Sequence, residues 1–504
     1  MTTGLNRAVT ALVESDRRFY AAMTAVLGLY LVLSIGLSFE RPPICDEGWY
    51  ASPTLSLLHS GDMGSPVLEG SGSYLKDIER YTYWIVPVHS LIQAPWFQLF
   101  GASLASTRLL SVVSGLAALL CWFYILQCLT GNRSVALLGL FLASIDSTFL
   151  ILASTGRADM MSAAFGAAAL ASYLALRENH FLWALFAGHA FAVASGLTNP
   201  TGGLVAVPSL ALLHFWFDRR RMRWSHLLVI SSPYIIAVAA WASYILQDPQ
   251  AFRAQFGGNS VGRLWPLGAP LLALHREVTD RFLPAYGVMP QSQRLAGLRM
   301  IVLVIYTAAA VGLLWPRRVR ELPAARIIIS LIAIVLFVLF FLEGAKQPWY
   351  LIHLVWLLAA AVAVSYKGHT GPHPSWRPLG LATIALLILI DTGYAASLIV
   401  QRKYDMFYRP AIAALRRELR PGQLVMGSAE LGFGLGFDQV LDDKNLGYYS
   451  GKTAGFIALD ANYRAHLAEL ERTRPEVYGA LRNMLAEKYQ PIYANAMYAI
   501  YERR

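Results

Sequence analysis

Eleven times along its 504 residues the chain runs apolar for close to the thickness of a bilayer. A backbone that crosses hydrocarbon must satisfy its own N–H and C=O groups, and short of a closed barrel only a helix does so. The runs fall at about 21–39, 106–128, 134–152, 159–176, 182–198, 202–217, 227–246, 299–315, 326–343, 350–366 and 379–398. Composition agrees: 56% of residues are hydrophobic and 14% charged, where a soluble domain carries roughly a quarter charged. The 13 Trp and 25 Tyr suit the two interfaces of a membrane. The fold class is therefore a polytopic α-helical membrane protein of about eleven transmembrane helices. The segment after Tyr20 continues without a small-residue cleavage pattern, so it reads as a retained first helix.

Charge sets the expected orientation. The tract 217–226, FDRRRMRWSH, carries four Arg against one Asp, and 316–326, PRRVRELPAAR, carries four Arg against one Glu. Lys367 and Arg377 fall on the same side. Short basic loops face the cytoplasm, which puts the N-terminus there too. The first long loop, 40–105, holds seven acidic and three basic residues and faces out. It contains apolar segments broken by Pro87 and Pro95, which suit short helices lying in the interface. The second long loop, 247–298, also falls outside, although its five Arg outnumber its three acids. The formal charge of +11 is thus explained by loop arginines, and no nucleic-acid partner is expected. Cys45, Cys121 and Cys128 have no spacing that suggests a disulfide framework.

An odd number of crossings leaves residues 399–504 outside. This tail has a different texture. Gln423–Met426 reads as a short strand, 463–487 as amphipathic helix and Tyr493–Tyr501 as strand. The expected division is a membrane domain, 1–398, and a small extracytoplasmic α/β domain, 399–504.

On this topology the mixed acidic and basic motifs gather on the outer face. Asp46 and Glu47 stand in PICDEGWY, Arg157 and Asp159 in STGRADM, and Glu343, Lys346 and Tyr350 in FLEGAKQPWYLIH. Asn199 and the first-loop residues Lys76, Arg80 and His89 share that side. A carboxylate there can serve as a general base toward a hydroxyl or amine, and Arg or Lys can hold a phosphate. Apolar surroundings suit a lipid tail on that phosphate. Together these point to group transfer from a lipid-linked phosphate donor. Plainer readings stand beside each residue. Asp46 and Glu47 would fit a solvated turn, and Asp159 a helix N-terminus. Lys346 would fit a snorkelling amine, and His89 a local hydrogen bond. Asp391 and His189, within spans, would fit polar packing as well as function.

At these motifs the sequence resembles the GT-C type polyprenyl-phosphate-sugar-dependent glycosyltransferases, most closely the protein O-mannosyltransferase and aminoarabinose lipid A transferase branch. That branch carries an acidic residue or pair in the first outer loop, here Asp46-Glu47, and a further Asp in the second, here Asp159. A Lys-x-Pro-x-Tyr-like element before a late helix corresponds to Lys346-Gln347-Pro348-Trp349-Tyr350. The bacterial K-P-P-L-x-Y-W element is altered: Lys76 is followed by DIERYTYWIVP, where Tyr83-Trp84 matches its end. The resemblance implies Asp46 as catalytic base, with Glu47 and Asp159 as supporting carboxylates. It implies Arg157, Lys346 and Tyr350 as donor phosphate or sugar contacts, with Lys76, Arg80 and His89 as further candidates. It leaves metal use open, a divalent cation included.

The expected activity is inverting transfer of a sugar from a polyprenyl-phosphate donor at the periplasmic face of a bacterial inner membrane. The acceptor would be a lipid, a glycan or a protein. A multi-span transporter or a membrane scaffold with an outer binding domain are the competing classes. A transferase requires Asp46, Asp159 and Lys346 to converge on one outward cavity; a transporter would gather its polar groups at the midplane.

Overall fold

A computed structural model describes residues 2–287, 297–315, 317–371 and 373–504. The part of the second loop at 288–296 and Pro316 of the basic tract lie outside the described residues. Among the described residues, nine helices are long and apolar enough to cross a bilayer, and a bent pair makes a tenth. All lie on the expected apolar runs. The 299–315 run forms a shorter helix, Arg299–Gly312, of 14 residues. At 1.5 Å per residue it reaches about 21 Å, short of a hydrocarbon core of about 30 Å. By length the crossings number nine to ten, below the eleven expected.

The bent pair replaces the single run expected at 134–152. Helices Arg133–Ile145 and Ser147–Ala153 meet at 64°. Asp146 causes the break. Its backbone leaves the helix, and its carboxylate accepts from Phe149 N at 2.9 Å, capping the second half. Its other oxygen takes the Tyr306 hydroxyl at 2.8 Å. Asp391 accepts from the Ser147 amide and hydroxyl at 3.2 and 2.7 Å. His189 meets the Tyr234 hydroxyl at 2.8 Å. For both residues polar packing between helices is what the structure shows.

The first long loop folds into two helices, Cys45–Ser60 and Val88–Phe100, with Pro53 and Pro95 inside them. Between them the chain packs onto the C-terminal unit. That unit is built on a five-stranded sheet in the order β2-β1-β3-β5-β4. The strands are β1 Val425–Gly427, β2 Val440–Leu441, β3 Phe456–Leu459, β4 Tyr489–Ala494 and β5 Ala499–Arg503. β1 runs parallel to β2 and β3, and β5 runs antiparallel to β3 and β4.

Strand alternation divides the core. Phe456 and Ala458 face a cluster with Val67, Leu68, Ile78 and Tyr408. Ile457 and Leu459 face the other side, against Tyr463, Leu470 and Leu481. The amphipathic stretch expected at 463–487 is two helices, Ala461–Thr473 and Pro475–Lys488, because Pro475 has no N–H to continue the first. The strand expected at Tyr493–Tyr501 is the β4–β5 hairpin.

The sheet's second face is thus completed by first-loop residues, and a Leu68–Asp442 bridge extends the pairing. The first loop and the C-terminal unit therefore lie at one end of the helical bundle. The basic tracts lie at the other end. There Asn132, Leu322 and Lys367 line one groove, and Arg177 and Arg221 share Asp218.

Candidate active site

Glu47 anchors the site. It is fully buried, and its carboxylate is filled. Oε1 accepts from Arg108 Nε and Gly156 N, both at 2.7 Å, and Oε2 from Arg108 Nη2 at 2.7 Å and Ile44 N at 3.0 Å. Arg108 also donates to the carbonyls of Ser38, Arg41 and Pro42 at 2.7–3.0 Å. One guanidinium thus binds the end of the first span to the start of the Cys45–Ser60 helix. Burial would raise the Glu47 pKa, but Arg108 and the two amides more than reverse that and hold it below the usual carboxylate range. No lone pair is left for a substrate. Glu47, expected as a supporting carboxylate, joins Ile44, Gly156 and Arg108 in one buried unit.

Its neighbour Asp46 points elsewhere and is part-exposed. It pairs with Arg157 Nη1, and Arg157 Nε donates to Asp159 at 2.7 Å. Arg157 is the N-cap of the Ala158–Leu176 helix, and Asp159 lies in its first turn, where a helix favours negative charge. Asn199 Nδ2 donates to the second Asp159 oxygen at 3.0 Å. Two aromatic faces hold Arg157, Trp349 at 5.0 Å and Tyr50 at 5.8 Å. Two carboxylates around one guanidinium leave this cluster with one formal negative charge.

A second cluster stands across from it. Lys346 does not snorkel. It is buried at positive φ (54°), and Nζ donates to the carbonyls of Leu339 and Phe340 and to Glu277, each at 2.8 Å. Burial pushes the Glu277 carboxyl up and the Lys346 amine down, and their mutual pairing opposes both shifts. Arg281 pairs with Glu277 at 2.5 Å and with Glu343. Glu343 pairs with Arg263 at 3.2 Å, and Arg263 donates to the Tyr350 hydroxyl at 2.8 Å. Three cations against two carboxylates leave one formal positive charge. All are buried except Arg263, whose side chain is 34% exposed. Burial opposes the Arg263 charge, but Tyr350 and Glu343 more than restore it.

Between the clusters lies a cavity of about 180 Å³. Tyr50 and Asn199 line one side, and Arg263, Glu343 and Tyr350 the other, with Trp84 also in the wall. Asp46, Arg157 and Asp159 sit behind Tyr50 and Asn199, and Lys346 sits behind Glu343. None of the three residues expected to converge on one cavity lines it; only partners of theirs, Asn199 beside Asp159 and Glu343 beside Lys346, reach its wall.

Lys76, Arg80 and His89 are not brought to this cavity. Lys76 is exposed and donates to Gln250 at 3.0 Å, and Arg80 lies over the Tyr81 ring at 5.2 Å. His89 is buried edge-on against Tyr50, with ring centroids 5.2 Å apart and Nδ1 unbonded. Burial lowers its pKa to about 4, with the Asp159 charge pulling the other way. Among the described residues no three His, Cys, Asp or Glu side chains form a group that could hold a metal. The cation between Asp46 and Asp159 is Arg157.

Sequence reasoning missed Arg108, Arg263, Arg281 and Glu277. A signal for two of them was present. The second loop carries more Arg than an outer loop should, and Arg263 and Arg281 are two of its five. Arg108 carried none, because it sits at the start of an apolar run where a flanking arginine is ordinary.

No protein-family model and no curated protein matches the chain. Solved structures do. ArnT from Cupriavidus metallidurans, bound to undecaprenyl phosphate, aligns over 95% of this chain and 97% of its own, at TM-score 0.62 and 15% identity. The oligosaccharyltransferase of Archaeoglobus fulgidus aligns over 95% of this chain and 74% of its own, at TM-score 0.51 and 12% identity. Archaeal AglB from Archaeoglobus fulgidus, in complex with an inhibitory peptide and a dolichol-phosphate, aligns over the same shares at TM-score 0.51 and 13% identity. The chain is a multi-pass α-helical membrane protein with a C-terminal mixed α/β domain, and it shares its fold with these proteins.

Proposed function

We propose that the chain is an inverting glycosyltransferase that moves a sugar from a polyprenyl-phosphate donor to a lipid, glycan or protein acceptor. Its site faces the periplasm of a bacterial inner membrane, with the N-terminus cytoplasmic and residues 399–504 periplasmic. The arginine tracts at the far end of the bundle support that orientation. The observation that carries the reading is the cavity between a net-negative and a net-positive cluster. The solved relatives of this fold that hold undecaprenyl phosphate and a dolichol-phosphate support the donor class.

Each cluster has a role in one displacement. Asp46 accepts the proton of an acceptor O–H or N–H. Arg157 pairs with that carboxylate and fixes where it stands. The acceptor's lone pair forms a bond to the anomeric carbon from the face opposite the leaving group. The carbon–oxygen bond to phosphate breaks, and its electron pair leaves with the lipid phosphate. Arg263, at the edge of the net-positive cluster, stabilises that departing charge. One displacement inverts the carbon. Asp159, itself held by Asn199, holds Arg157 and so aims Asp46.

The test uses the purified protein in liposomes with a panel of polyprenyl-phosphate sugars and a membrane extract as acceptor source. Release of free lipid phosphate is followed. Loss of a general base lowers rates by about 10²–10⁴-fold, so Asp46→Asn should slow release by that factor while the protein still expresses and folds, with Arg157 keeping Asp159 as its partner. Asp159→Asn should act in the same direction, less severely. Release from no donor, or an Asp46→Asn rate equal to wild type, sinks the reading in favour of a transporter or scaffold.

A further inference from the structure

A larger cavity, about 420 Å³, opens between the first loop and the C-terminal unit. That lies within the range of small-molecule sites, roughly 300–1,000 Å³. It shares one wall, Trp84, with the smaller cavity described above. Trp49 also lines it, three residues after Asp46 on the same helix, and packs edge-to-face on Trp84 at 5.7 Å. Trp84 Nε1 is buried without a hydrogen-bond partner. Tyr74, in the rim, is 43% exposed. Aromatic faces beside charged and polar side chains are what a saccharide needs, because its C–H faces are apolar and its hydroxyls bond sideways.

Charge narrows the ligand. Four carboxylates line the cavity, and three are filled by the protein. Asp442 accepts from Trp49 Nε1 at 2.8 Å and from the Tyr463 hydroxyl at 2.9 Å. Asp443 accepts from the amides of Asn445 and Gly447, both at 2.9 Å. Glu69 accepts from Ser71 N at 2.9 Å and pairs with Lys452 at 2.6 Å. Glu469 is the fourth. The cations differ. Lys444 lies 5.4 Å over the Trp49 ring, and Arg474 donates to the Tyr449 hydroxyl at 3.0 Å. Neither has a carboxylate within 4 Å among the described residues, although the Lys444 charge still acts on Asp442. His466 stands with them, its imidazole held below its usual pKa by burial and by the Lys444 charge.

We infer that this outer cavity binds a saccharide bearing an anionic group, with Lys444 and Arg474 on the anion and Trp49, Trp84 and Tyr74 against the sugar. Its place across Trp84 from the donor-side cavity makes it the seat of the acceptor head. That assignment to the acceptor rests on the transferase reading; the binding itself does not.

The experiment titrates the full-length protein in nanodiscs, without donor, against glucose 6-phosphate, glucuronate, glucose and inorganic phosphate by calorimetry. Glucose 6-phosphate and glucuronate should bind at least tenfold tighter than glucose, and glucose 6-phosphate tighter than inorganic phosphate. The double variant Lys444→Gln/Arg474→Gln should lose at least tenfold for both charged sugars and nothing for glucose. Tyr74→Ala should weaken all three sugars. Arg420→Gln, an exposed cation of the same unit outside the cavity, should change none. Melting curves confirm that each variant is folded. Three results overturn the inference: no sugar binding at tens of millimolar, inorganic phosphate binding as tightly as glucose 6-phosphate, or a double variant indistinguishable from wild type. Failed donor release with intact sugar binding would count against the transferase reading alone, and the reverse against this site alone.

Discussion

Glu47→Gln changes one oxygen to an amide group, and the structure says what that costs. Each Glu47 oxygen accepts from one Arg108 nitrogen and one backbone amide. Whichever way the Gln amide turns, its NH₂ faces two donors. One guanidinium N–H and one backbone N–H lose their acceptor, and Arg108, 2% exposed, loses its counter-charge. Breaking one partner of a buried pair costs about 3–5 kcal/mol. A chain of 504 residues melts lower by roughly 1 °C for each kcal/mol, so the melting temperature should fall by about 3–5 °C. A thiol-reactive-dye melt in detergent measures it, run on wild type, Glu47→Gln, Arg108→Met and the double variant. The double variant should fall well short of the sum of the singles, because removing Arg108 removes the stranded charge. It should not return to wild type, since the carbonyls of Ser38, Arg41 and Pro42 would be left without Arg108. The pH dependence has a definite sign. The folded pKa of Glu47 is depressed, so its contribution is fully present above the unfolded value of about 4.3 and is lost as pH falls through the folded one. A Glu47→Gln protein that melts with wild type, or single effects that simply add, would refute the account.

His89 should give a different profile. Its folded pKa, about 4, lies below the unfolded value of about 6.5, so stability present above pH 6.5 declines as pH falls toward 4. Melting of wild type should drop between pH 7 and 5, and a His89→Phe protein should drop less. Gly48→Ala would place a methyl 2.5 Å from the Ala429 carbonyl carbon and oxygen. It should loosen the C-terminal unit from the helix that carries Asp46, read as faster protease release of a fragment beginning near residue 400. Lys346→Met leaves Glu277 with Arg281 alone and takes the donor from the Leu339 and Phe340 carbonyls; it should destabilise by about 1–3 kcal/mol, read as lower melting, while an unaltered melt would contradict its buried pairing.

Much of the architecture was legible because the bilayer reads the sequence one segment at a time. Each apolar run needs only its own backbone to close its hydrogen bonds, so composition and length locate the helices without knowledge of the packing. The same holds for the gathering of Asp46, Arg157, Asp159 and Glu343 at one end, which follows from counting crossings. The break at Asp146 was less legible, because an Asp in an apolar run can cap, pair or bend, and the Tyr306 hydroxyl decides. The single helix expected at 463–487 failed at Pro475, a local signal that was passed over.

What only the tertiary structure decided is which charge meets which. Asp46 and Glu47 are adjacent and alike in sequence, yet successive residues on a helix face different ways. Glu47 turns inward onto Arg108, 61 residues away, and Asp46 turns toward Arg157. Lys346 looked like the phosphate ligand, but its three protons are held by Leu339, Phe340 and Glu277, and the cation at the cavity is Arg263. Periodicity and hydropathy are properties of one segment and survive in the sequence. An ion pair is a property of two segments at a distance of about 3 Å, and packing alone brings them there.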